Sequence, residues 1–273
     1  MNPVKRIWNN DVDINMTQIE NFYVALYADL YFICGGSLYK NDWIITAAHC
    51  FYTKQGEYRY DLTYKVEHKD NVYLVDNIYC HEKYNFGDNT NDICLIHAPG
   101  ISNNRIPVQI SREYPKEGTI LKVAGKGKIN NTELLSTHLR VANVRIMNCP
   151  DGFGFLENQI CVENSNRDNN EVTEYELGNA CSGDSGGPLY DGNTIYAVVS
   201  YGYDDPNIPG DCPTDSKYSV GGVYTAVKPD WVECITTEVP CTISKIIIPV
   251  NTILIVLLCI VGLLCMIGLV MKN

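Results

Sequence analysis

The 273-residue sequence predicts an all-β protein, either a sandwich or a pair of barrels, with one short helix near the end of the folded region and a separate apolar segment behind it. Two observations carry this. Between residues 20 and 235, short runs rich in Val, Ile, Tyr and Thr alternate with clusters of Gly, Pro, Asn and Asp, the pattern of many short strands joined by turns. Over the same stretch no long amphipathic helical period appears before residue 229, so a helical core has nothing to build on.

In order, the predicted strands are "NFYVALY", "WIITAA", "NVYLVDNIY", "DICLIHA", "TILKVAG", "LRVANVRI", "TIYAVVSYG" and "GGVYTAV". "PDWVECITTEV" then reads as the closing helix, with Pro229 in its first turn, where a missing N–H costs nothing. Two stretches read as loops: the polar, acidic 162–179, and 203–220, whose prolines exclude regular structure. No internal repeat is visible.

The end of the chain differs in kind. Ile253 to Val270 carries no charge, and with "IIIPV" ahead of it the segment is long enough at about 1.5 Å per residue to cross a bilayer core of about 30 Å. We therefore expect a single transmembrane helix over 246–270, with lipid as a partner. Lys245 before it and Lys272 after it leave the positive-inside rule almost nothing to count, so orientation stays open.

A net charge of −11 excludes a nucleic-acid binder, because phosphate recognition relies on a basic surface. Hydrophobic content of 45% with 19% charged residues fits a folded chain. There are 12 cysteines, two of them (Cys259 and Cys265) in the apolar segment, and no CxxC zinc pattern; disulfides in an oxidising compartment are the better reading. The first residues, "MNPVKRIWNN", lack the apolar core of a signal peptide. Three resolutions stay open: a longer true N-terminus, the C-terminal span acting as the targeting signal (a tail anchor), or cytosolic oxidation of the kind a virus supplies. Asn15 and Asn130 are glycosylation sequons, relevant only in the secretory pathway.

"CSGDSGGPLY", residues 181–190, presents a serine among glycines. A serine hydroxyl is a weak nucleophile at neutral pH, and needs a base to take its proton and a third group to orient that base. "WIITAAHCF" offers His49 just after a strand, and "NTNDICLIHA" offers Asp92 just before one. His68, His81, His97 and His138 have no such context.

Together, "TAAHC", "NDICLI" and "GDSGGPL", in that order, resemble the trypsin and chymotrypsin family of serine proteases, as do "CGGSL", "VSYG" and "GGVYTAV". The resemblance covers residues 7–238. It implies two six-stranded antiparallel β-barrels, with Ser185 as nucleophile, His49 as base and Asp92 as the group that fixes the imidazole. The backbone N–H groups of Gly183 and Ser185 would form the oxyanion hole. Asp184 would pair with a new α-amino group at Ile7 after an activating protease cuts behind Arg6. That makes 1–6 an activation peptide, 7–238 the protease domain, 239–245 a stalk and 271–273 a tail. Trp8, Asn9 and Asn10 depart from the family's Val-Gly-Gly at that start.

By the same resemblance Cys34 pairs with Cys50, Cys149 with Cys161, and Cys181 with Cys212. A further family disulfide is missing at both expected positions, Leu121 and Asp191. Cys80 and Cys94 lie on successive predicted strands and suit a cross-strand bridge; Cys234 and Cys241 either pair or stay free. The substrate pocket would be lined by Asn179, Ala180, Ser200, Tyr201, Gly202 and Gly222. Neutral Asn179 stands where trypsin-like members carry an aspartate, and the two glycines leave room, so a large neutral or aromatic side chain is expected before the cut. The substrate is a protein or peptide, and neither a cofactor nor a metal is called for. A rival reading keeps the fold in a binding or attachment protein that is never activated.

Overall fold

A computed structural model describes residues 16–103, 106–128, 135–149, 158–163, 180–204 and 219–237. It opens on a helix the sequence did not announce, α1 (Met16–Phe22), whose Ile19 and Phe22 are fully buried. The Phe22 ring stands edge-on to Tyr190 at 5.6 Å. Burying two such side chains is worth about 1.5–3 kcal/mol each, ample to hold a helix too short to persist alone.

Seven strands follow: β1 (Tyr23–Ala28), β2 (Tyr31–Leu38), β3 (Trp43–Thr46), β4 (Tyr64–His68), β5 (Asn71–Leu74), β6 (Asn77–Cys80) and β7 (Cys94–His97). They form one sheet in the order β5-β4-β1-β2-β3-β7-β6. The predicted strand "NVYLVDNIY" proves to be bent. Val75 N donates to Tyr64 O on the β4 side and Asp76 N to His97 O on the β7 side, each at 3.0 Å. One bent stretch thus supplies both edge strands of the sheet.

The second half contains β8 (Gln109–Ile110), β9 (Ile120–Gly125), β10 (Arg140–Met147), β11 (Gln159–Glu163), β12 (Pro188–Asp191), β13 (Thr194–Asp204) and β14 (Ser219–Ala226). Its order is β12-β9-β10-β11-β14-β13-β8, with β12 also pairing β13. That extra pairing closes six strands on themselves, and β8 adds to β13 as a parallel seventh. The expected six-stranded barrels are therefore two seven-stranded sheets. The difference lies in the bend at Val75–Asp76, which splits one strand into β5 and β6, and in the inter-barrel linker, which pairs as β8.

Strand character follows burial. β4 alternates buried and half-buried residues, as a wall with one wet face must, whereas Ile44, Ile45, Leu95 and Ile96 on the central pair β3 and β7 are all fully buried. Ala124, Tyr190, Ile195 and Val198 of the second barrel join the core of the first. So do Trp231 and Val232 of the closing helix α2 (Pro229–Thr236), which begins at Pro229 as expected. Trp231 stacks on His81 at 5.1 Å and its Nε1 donates to Glu82 at 3.3 Å, fastening α2 across the first barrel.

Three disulfides join described residues: Cys34–Cys50, Cys149–Cys161 and the cross-strand Cys80–Cys94, whose residues face each other in the β6–β7 register. Closing loops of this size is worth about 3 kcal/mol each in the chain-entropy treatment. Cys181 and Cys234 are also disulfide-bonded, so Cys234 does not stay free; Cys212, the expected partner of Cys181, and Cys241 lie outside the described residues. The β12–β9 register ends at Tyr190 opposite Lys122, each one residue along the chain from Asp191 and Leu121, the two positions expected to hold a further disulfide. No helix among the described residues is long and apolar enough to cross a membrane. The expected span at 246–270 lies outside them, as do the activation peptide, Ile7, the stalk, the tail, Cys259, Cys265, Asn15 and Asn130.

Candidate active site

Strand β3 ends at Thr46 and the chain turns into a short 3₁₀ segment, Ala48–Phe51, which carries His49 and is tied to β2 through the Cys34–Cys50 bridge. Asp92 stands two residues ahead of β7, fully buried. Its Oδ2 lies 2.6 Å from His49 Nδ1, its Oδ1 accepts from the His49 backbone N–H at 2.8 Å, and Ser200 Oγ donates to Oδ2 at 2.5 Å. Three donors therefore converge on one carboxylate.

Electrostatics follow from that geometry. Burial works to lower the His49 pKa, but the Asp92 charge and hydrogen bond prevail and hold it above its ordinary value. Burial works to raise Asp92, yet the charge of His49 and the bonds from His49 and Ser200 hold it below the usual carboxylate range.

The serine loop arrives from the second barrel. Gly35 N on β2 donates to Ser185 O at 2.8 Å, and Gly186 N donates to Val199 O at 2.8 Å. Gly186 has φ +75°, and a Cβ there would meet Gly35 O at 2.5 Å, so only glycine lets the loop lie against β2 and the end of β3. Among the described residues, no hydrogen bond joins Ser185 Oγ to His49. The backbone N–H groups of Gly183 and Ser185 likewise meet no protein acceptor among them, which leaves both able to receive a ligand oxygen.

Asp184 points the other way and is buried. Gly127 N donates to its Oδ1 at 2.7 Å and Cys181 N to its Oδ2 at 2.8 Å. Burial outweighs both bonds and pushes its pKa up to about 7.

On the pocket side Gly202 and Gly222 face each other in the β13–β14 register, and a Cβ at Gly202 would meet nothing closer than Gly221 O at 3.8 Å. Ala180 and Tyr201 are half-buried. Asn179, the expected pocket floor, lies outside the described residues, as does Ile7. Cys34, His49 and Cys50 cluster tightly, but the disulfide occupies both sulfurs, so the group offers one free ligand atom and not a metal site. Sequence reasoning gave Ser200 only a place on the pocket strand; its hydroxyl in fact holds Asp92. No local signal marks this, since the pair is 108 residues apart in sequence. Of the remaining histidines, His68 Nδ1 bonds Tyr23 O at 2.8 Å, His97 pairs with Asp76 at 2.7 Å, His81 stacks on Trp231, and His138 is exposed.

Two barrels meeting at a seam, one presenting a half-buried histidine on a buried aspartate and the other a glycine-flanked serine, define a chymotrypsin-like serine protease architecture. Comparison with known proteins agrees: a family model described as Trypsin matches residues 12–228. Trypsin epsilon of Drosophila erecta is 32% identical over 194 residues, which cover 65% of this chain and 71% of the relative. Kallikrein 1-related peptidase b11 of Mus musculus is 27% identical over 220 residues, covering 69% and 78%. The solved structure of neuropsin, a serine protease expressed in the limbic system of mouse brain, superposes with a TM-score of 0.63 at 26% identity, covering 82% of this chain and 97% of that one. The chain belongs to the trypsin family and is a serine endopeptidase.

Proposed function

We propose that the protein hydrolyses peptide bonds through Ser185, His49 and Asp92 and is held at a membrane by the segment 246–270. The observation that carries the catalytic part is the convergence of three donors on buried Asp92, which leaves the imidazole one orientation, with Nδ1 committed and Nε2 free. His49 Nε2 then takes the Ser185 proton as Oγ attacks the carbonyl carbon, and returns it to the leaving amine. Gly183 and Ser185 N–H groups receive the oxyanion, where losing one donor typically costs about 3–4 kcal/mol of transition-state stabilisation. Open space at Gly202 supports a large neutral or aromatic side chain before the cut, with the Asn179 position as floor.

Labelling with a fluorophosphonate before and after cleavage behind Arg6 tests this reading. Labelling that follows the cut and vanishes in Ser185→Ala is expected. A correctly disulfide-bonded protein that never labels belongs instead to the binding or attachment class.

Asp184 supplies a pH test of its pairing with Ile7. Its folded value, about 7, lies above the ordinary 3.8, so folding favours the protonated form. That contribution is complete below about pH 4 and is lost as pH rises through 7. The chain uncut at Arg6 is expected to lose up to about 4 kcal/mol over this window, and the cut chain, with an ammonium beside the carboxylate, to lose far less. Urea midpoints from pH 4 to 8 measure it; superimposable profiles before and after cutting would sink the pairing.

A further inference from the structure

Gly183 has φ +96° and no side chain, so the direction of its N–H is set by what packs around it. Two side-chain routes reach it from the first barrel, and both start at Glu67 on β4. On the first, Glu67 Oε1 pairs with Lys126 Nζ at 3.1 Å. Lys126 stands between Gly125 and Gly127 in a strap laid on the serine loop: Gly127 N donates to Asp184 Oδ1 at 2.7 Å and Lys128 N to Ser182 O at 2.8 Å. Gly127 Cα lies 3.0 Å from where a Cβ on Gly183 would stand. On the second, Tyr27 Oη donates to Glu67 Oε2 at 3.2 Å, and the Tyr27 ring meets Phe32 edge-on at 5.7 Å. Phe32 Cε1 lies 3.3 Å from that same point on Gly183.

We propose that Glu67 is a positioning residue for the oxyanion hole, acting through Lys126 and Tyr27 to fix the Gly183 N–H. This rests on the reading of Gly183 and Ser185 as oxyanion donors. Glu67 makes no hydrogen bond or ion pair with Ser185, His49 or Asp92; each oxygen of its carboxylate holds one of the two supports, so its removal frees both together. The glycines at 125 and 127 explain why an outside anchor is needed, since neither can steady the strap with a side chain of its own. Lys126, turned away from Asp184, supplies that anchor.

Steady-state kinetics on the activated protein, with the rate of fluorophosphonate inactivation and the thermal midpoint, test the proposal. Lys126→Met and Tyr27→Phe are each expected to lower kcat roughly two- to threefold, as expected for one partly exposed ion pair or hydrogen bond, with KM unchanged. Glu67→Ala should lower kcat about tenfold and slow inactivation in proportion, and Lys126→Arg should retain parental values. Parental kcat in Glu67→Ala overturns the proposal, and so does a loss that appears in KM or follows the thermal midpoint across the variants. A parent that reacts with no fluorophosphonate overturns the protease reading and this inference with it, whereas a reactive parent with indifferent variants overturns this inference alone.

Discussion

Asp92→Asn is expected to lower kcat about 10⁴-fold at neutral pH while leaving the fold and KM near parental values. Asp92 receives three donors: the His49 backbone N–H, His49 Nδ1–H and the Ser200 hydroxyl. An asparagine of the same size presents one acceptor oxygen and one NH₂, so at least one of the three donors must face an N–H. Ser200 can rotate its hydroxyl and the backbone cannot move, so the imidazole is the group that gives way. It then accepts at Nδ1 and carries its proton on Nε2, the tautomer that cannot receive the Ser185 proton. The substitution also removes the charge that holds the His49 pKa above its ordinary value against burial. The acidic limb of the residual pH–rate profile should therefore move downward. A variant with parental kcat would remove Asp92 from the mechanism.

The largest effect on stability is expected at Gly125. A Cβ there would overlap the carboxylate of Asp184, which cannot retreat because Gly127 and Cys181 N–H groups hold its two oxygens at 2.7 and 2.8 Å. Gly125→Ala should cost about 3 kcal/mol or more, in the range of severe overpacking. Gly118 is the matched comparison: its φ is +81° but nothing lies within 4 Å of its Cβ position. Gly118→Ala should cost about 1–2 kcal/mol from backbone conformation alone. Urea unfolding separates the two, and equal costs would mean that the strap yields around Asp184.

What the sequence revealed and withheld follows the physics of each element. The predicted strands for β3, β7, β9, β10, β13 and β14 were legible because Val, Ile and Tyr runs bounded by turn residues carry their own signal. "YFICGGSL" is strand β2, yet its two glycines hide it: Gly36 packs against Ile44 and Val24 so closely that a Cβ would meet Val24 at 3.0 Å. The pleat there is dictated by neighbours and not by propensity. β8 is shorter still, two residues that pair only because the linker is drawn across β13. α1 was missed because its last two residues, Asn21 and Phe22, were read into the predicted strand "NFYVALY", and because the burial of Phe22 against Tyr190 is a long-range event. At the candidate site, the short motifs around His49, Asp92 and Ser185 carry a local signal. Ser200 and Glu67 carry none, because their hydrogen-bond partners lie far away in sequence and nothing nearby distinguishes them from ordinary strand residues.

The bend at Val75–Asp76 matters for life in a crowded solution. A strand at the rim of an open sheet offers a row of unmet N–H and C=O groups to any neighbouring chain, and is a common starting point for aggregation. By turning from Tyr64 to His97 within two residues, this stretch divides what would be one long rim strand into two short ones. The rims of the sheet beside His49 and Asp92 are therefore two four-residue strands on either side of the bend, too short to offer foreign strands much of a template, a useful property in an enzyme whose work brings it extended polypeptides.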